Sequence, residues 1–429
     1  MPSVRVAISP NILNWVLDIS KYTGISGEVL ESLHQWRNDE IRPTYNQLET
    51  ISKKTHIPLG YFFLQTPPKE TFPLLEYRTV ESGAIHNPSR NLIDTIHHME
   101  DIQDWMREYL QSNNYDKLPF VESLKNETDI QTIANAIRMK IELPIDWYSE
   151  CVNVDDSFRY LRTHFENAGI LILMNGVVGQ NNYRILDIEE FRAFVLLDEY
   201  APLVFVNSTD SKYGKLFSLL HEAVHIWLGE NDFFNDRYGS YEGNEKPQSK
   251  LCGIEDLSLK SMYRGGTNPP HPQYSGASSG VLNQGIRNKP LEALCNAVTA
   301  EILVPKNQFV TEWQQKIQAV EQLNDIISLI AAHFKCGTTV IARRALDHDF
   351  ISQKQYDAIA EEAKKNFKPN RASGGDYYRT NISRLGRPFV LALESSVREG
   401  KTTYTDAFRL TNTTRMTFDV LTNEARGER

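Results

Sequence analysis

Cysteine is scarce and unpatterned. The four in 429 residues, Cys151, Cys252, Cys295 and Cys336, form neither a metal knuckle nor a disulfide framework, which excludes a disulfide-stapled scaffold and suits a reducing compartment. Long apolar runs are missing too. No stretch reaches the roughly twenty apolar residues of a membrane span, and Met1–Pro10 lacks the apolar core of a signal peptide. A cytoplasmic location without membrane contact is therefore expected. Excess positive charge is absent as well: the formal net charge of −9 disfavours non-specific binding of the whole molecule to DNA or anionic lipid. Length sets the outer limit, at about two to four domains with ample core.

Against this background stands His221-Glu222-Ala223-Val224-His225. Positions i and i+4 share one face of a helix, so both imidazoles can point at a single zinc ion. Glu222 then projects beside them as the base that takes a proton from activated water and hands it to a leaving amine. Lys215–Leu220 and Ile226–Leu228 extend an apolar, buried helix, and Gly229 offers its left-handed stop. The competing interpretation makes both histidines core-facing polar residues satisfied by backbone carbonyls, which is costly for two rings and a carboxylate together.

Catalytic zinc takes three protein ligands and keeps one open position. A continuation supplying glycine three and histidine six residues after His225 is excluded, because those positions hold Leu228 and Asn231. A carboxylate from a second helix fits instead. Lys289 to Val304 reads as a helix opened by Pro290 and closed by Pro305, with Leu291, Leu294, Val298 and Ile302 at helical spacing. Glu292 near its start is either the third ligand or a first-turn acid favoured by the helix dipole. Asn296, one turn on, is a candidate for orienting a ligating histidine.

The two blocks Phe217–His225 and Glu292–Pro305, in this order, resemble the ImmA/IrrE family of bacterial metallopeptidases. That resemblance implies a zincin-like core of helices plus a small sheet, zinc held by His221, His225 and Glu292, and Glu222 as general base. It also implies a protein substrate, a repressor or the product of a neighbouring gene, in a prophage, toxin-antitoxin, defence or stress-response system. The stretch between His225 and Glu292 is longer than the family usually has, and its Asn268–Gly280 run reads as loop.

Upstream, Ala168–Met174, Phe191–Leu197 and Pro202–Asn207 read as short strands of a small sheet. An edge strand of such a sheet is expected to pair with the substrate backbone, and Asn207 is expected to be structural. Residues 1–66 resemble an XRE-type helix-turn-helix domain through Trp36, Ile41–Thr44 and Ile57–Leu64. Acids and bases nearly balance there, so the alternative is a degenerate helical domain that docks onto a protein. A helical connector is expected over 67–149, with Glu76–Thr79 as its family motif and His97 and His98 too divergent on the helix to chelate. The peptidase domain is expected over 150–350, with a long loop near 235–289. A basic, glycine-tipped linker leads to a small helical domain at 372–429, whose core includes Phe389, Val390, Leu393, Phe408, Leu410, Phe418 and Leu421.

The expected class is thus α+β, with helical domains on both flanks. The rival to a zinc endopeptidase is a non-enzymatic toxin-antitoxin or phage-defence regulator that binds a partner protein or operator DNA. An oxyanion partner besides zinc is unranked among Tyr213, Tyr238, Tyr263, Tyr274 and His271.

Overall fold

The computed structural model describes residues 5–19, 26–68, 88–229, 233–234, 281–365 and 377–427, with 233–234, 281–289 and 377–379 described by their backbone course. The fold is α+β and mostly helical. In chain order the elements are α1 (Pro10–Ile19), α2 (Gly27–Arg37), α3 (Tyr45–Thr55), α4 (Arg90–Ser112), α5 (Ile130–Lys140), α6 (Val154–Asn167), β1 (Leu171–Asn175), β2 (Val177–Val178), β3 (Asn181–Ile185), β4 (Ala193–Leu196), β5 (Leu203–Asn207), α7 (Lys212–Leu228), β6 (Phe233–Phe234), α8 (Val281–Leu303), α9 (Lys306–Ala319), α10 (Leu323–Phe334), α11 (Thr338–Asp347), α12 (Gln353–Lys365), α13 (Tyr377–Leu385), α14 (Arg387–Arg398), α15 (Tyr404–Thr411) and α16 (Arg415–Arg426). Among the described residues, no single helix is long and apolar enough to cross a membrane.

The central sheet runs β1-β5-β4-β6, with β1 parallel to β5 and the other pairs antiparallel. Strand periodicity divides its side chains between two cores. Ile172, Ala193, Val195, Val204 and Val206 face the cluster that holds α5 to α12. Leu171, Leu173, Phe194, Leu196, Leu203 and Phe205 face the cluster built with α4 and the C-terminal helices. Both faces are covered, which explains why these strands read as continuous apolar runs rather than alternating ones.

That second face corrects the expected C-terminal domain. Phe389, Val390, Leu393, Leu410, Phe418 and Leu421 share one cluster with the sheet and with Leu92, Ile96, Met99 and Ile102 of α4, so α14 to α16 complete the central fold rather than form a separate unit. Trp105 meets Phe389 edge-on at 5.5 Å. The expected connector is likewise divided: α4 lies under the C-terminal helices, whereas Ile133, Ala134 and Ile137 of α5 belong to the cluster around α7 and α8.

Both sheet edges are partly occupied. β6 pairs with Ala193 and Phe194 of β4. On the other side α13 packs against β1, and Arg162 donates to the Ile172 carbonyl at 2.7 Å. The sheet therefore has less open edge for a further strand than expected. The strand β6 is an addition to the expected sheet, and the hairpin β2–β3 forms a separate two-stranded sheet.

The N-terminal helices keep their own core, with Ile12, Leu13, Val16, Leu33, Trp36, Leu48, Ile51 and Phe62 packed together. Thr44 and Gln47 form a reciprocal capping box that starts α3. The expected connector motif Glu76–Thr79 lies outside the described residues. So does most of the expected loop near 235–289, but its last residues, from Val281, are helical.

Candidate metal centre

α7 starts where Ser211 accepts a hydrogen bond from the Gly214 amide at 2.9 Å. It stops at Gly229, whose φ of 81° is left-handed. Being apolar on nearly every side, it packs on β4, β5, α6 and α8 and is buried almost throughout. A buried ion pair fixes its entry. Arg192 donates to Asp210 at 2.6 Å, and the other Asp210 oxygen accepts from the Ser211 amide at 2.6 Å. A Cβ on Gly214 would overlap this carboxylate. Gly214→Ala is therefore expected to force Asp210 off Arg192 and destabilise the chain by about 3 kcal/mol or more, the scale for breaking a buried pair. Denaturant titration checks this, and unchanged stability would show that Asp210 moves without cost.

α8 supplies the acid. Its last carbonyls, which a helix leaves unpaired, are taken by side chains from three directions. Arg138 donates to the Glu301 carbonyl at 2.6 Å, Trp147 to that of Ile302 at 3.1 Å, and Arg344 to that of Val304 at 2.7 Å, while Arg344 also pairs with the Glu301 carboxylate. Pro290 lies inside α8 rather than opening it, as the helix already runs from Val281. Glu292 is thus not a first-turn acid, and the dipole explanation for it falls away.

These helices bring His221, His225 and Glu292 together. His221 Nε2 lies 3.1 Å from Glu292 Oε2, His225 Nε2 lies 3.2 Å from His221 Nε2, and Glu292 Oε1 is 3.3 Å from His225 Nε2. Zinc bonded to such ligands at about 2.0–2.1 Å spaces tetrahedral neighbours about 3.3 Å apart, so the three contacts match three edges of one coordination tetrahedron. Two imidazole nitrogens and a carboxylate oxygen are also the donor types zinc prefers. Among the described residues, no other group of three His, Cys, Asp or Glu gathers in this way.

Burial is asymmetric around the triangle. His221, Glu222 and His225 have no exposed surface, whereas the Glu292 side chain is 32% exposed. Among the three candidate ligands, Glu292 is therefore the one with exposed surface. Burial works against charge on His225, yet Cys295 and Glu292 lift its pKa well above the usual imidazole range. Burial would raise Glu292, but His225 and His221 hold it well below the usual carboxylate range.

Asn296 makes no hydrogen bond to either histidine. The contact expected of it comes from Cys295, whose Sγ is 3.8 Å from His225 Nδ1. From Glu292 both i+3 and i+4 lie on the same face, so spacing could have flagged either residue. Asn207 is structural as expected: it is buried, donates to the Phe191 carbonyl at 3.1 Å and accepts from Thr209. Tyr213 sits eight residues before His221, about 12 Å along the axis, with its side chain leaning toward the helix start, so it does not reach the centre. Tyr238, Tyr263, Tyr274 and His271 lie outside the described residues.

Among known families, the model for a domain of unknown function (DUF8813) matches residues 385–424, the segment that forms α14, α15 and most of α16. No curated protein and no solved structure matches the chain.

Proposed function

We propose that this chain is a zinc-dependent endopeptidase of the ImmA/IrrE type with a zincin-like core, acting on a regulatory protein such as a repressor or an antitoxin-like partner. The observation that carries this reading is the triangle of His221 Nε2, His225 Nε2 and Glu292 at 3.1–3.3 Å, with Glu222 next to the first ligand in the chain. Zinc bound there makes water more acidic and polarises a carbonyl.

The protein side of the reaction falls to Glu222. Its carboxylate accepts a proton from water as the water oxygen bonds to the scissile carbonyl carbon. It returns that proton to the nitrogen as the carbon–nitrogen bond breaks. Complete burial keeps competing bulk water from the carboxylate and strengthens its electrostatic effect. The exposed surface of Glu292 gives a peptide its approach.

Incubating the zinc-loaded chain with proteins encoded beside it tests the reading. Discrete cleavage of one of them is expected, stopping on chelation and resuming when zinc is restored. A chain that carries zinc yet leaves every such protein intact contradicts the peptidase and favours a regulator that binds its partner.

A further inference from the structure

We infer that Cys295 is the positioning residue for His225: its sulfur holds the ring with the proton on Nδ1 and turns the Nε2 lone pair to the metal. This rests on the metal reading above. The sulfur lies 3.8 Å from Nδ1, within reach of a hydrogen bond to sulfur, while Nε2 of the same ring faces His221 and Glu292. An imidazole that ligates through one nitrogen normally donates its other N–H to an acceptor that fixes tautomer and orientation. Here the acceptor is a thiol rather than the usual carboxylate or carbonyl.

Geometry excludes a different role for this sulfur. It sits on the opposite side of the ring from the triangle, and it is not among the gathered ligand atoms, so it is no fourth ligand. Cys295 has no exposed surface and belongs to the same core cluster as Leu219, Val224 and Val298. It also lies one turn after Glu292 on α8, so a single helix supplies one ligand and orients another.

The test uses the full chain, with zinc affinity measured by chelator competition and ring states read from imidazole nitrogen shifts. In the zinc-bound parent, His225 is expected to bind through Nε2 and carry its proton on Nδ1. Cys295→Ala is expected to weaken zinc binding about tenfold, Cys295→Ser to recover most of that loss, and Cys336→Ala, which removes another buried thiol, to leave affinity unchanged. Ligation of His225 through Nδ1 overturns the inference even if no variant folds. So does an Ala variant that binds zinc as tightly as the parent, or a Ser variant as weak as Ala, which would mean packing alone. A parent that binds no zinc overturns this inference and the metal centre together, which distinguishes that outcome from the others.

Discussion

Glu222→Gln is expected to keep its zinc and its fold while slowing peptide-bond cleavage about 100- to 10,000-fold, the range for loss of a positioned general base. The substitution preserves shape and volume, which matters because the Glu222 side chain is fully buried and its surroundings tolerate little change. It removes the one property the mechanism requires, a carboxylate that can take and return a proton. The ligand triangle does not include Glu222, so metal affinity should stay close to that of the parent. Turnover measured beside metal content separates the two effects. Cleavage at the parental rate by a zinc-loaded Glu222→Gln chain would remove Glu222 from the chemistry.

A chain ending at Lys365 is expected not to fold cooperatively. The deletion strips Phe389, Val390, Leu393, Leu410, Phe418 and Leu421 from a cluster they share with Leu171, Leu173, Phe194, Leu203 and Phe205, leaving that sheet face to α4 alone. Burying each such side chain contributes about 1.5–3 kcal/mol, so the lost packing rivals the whole stability of a domain, about 5–15 kcal/mol. The bared face is broad and apolar, so aggregation should accompany the loss. Phe389→Ala is the milder form of the same experiment, with about 3–5 kcal/mol of destabilisation expected from the cavity it leaves. A truncated chain with a single sharp melting transition would show that the C-terminal helices are dispensable.

Legibility in the sequence followed the range of each signal. Helix α7 with its stop at Gly229, and the strands β1, β4 and β5, depend on local spacing and local turn chemistry, and they fold as that spacing implies. Glu292 needed more, since its partners lie 71 and 67 positions away in the chain, and only the paired-helix pattern pointed to it. The apolar residues of the C-terminal segment mark a buried face, but a list of apolar positions does not say what that face is buried against. It serves the central sheet, which is why the expected separate domain dissolved into the fold. Helical spacing admits both Cys295 and Asn296 as neighbours of a ligating histidine, and spacing alone does not choose between them. Pro290 misled: proline favours a first turn, yet α8 carries it in its interior.

Metal content is the most direct measurement. The purified chain, loaded with zinc and freed of excess, should retain one equivalent, and His225→Ala and Glu292→Ala should each lose it while the far-ultraviolet circular dichroism stays that of the parent. A parent that retains no zinc, or a Glu292→Ala chain that holds it as firmly as the parent, would contradict a centre built from His221, His225 and Glu292.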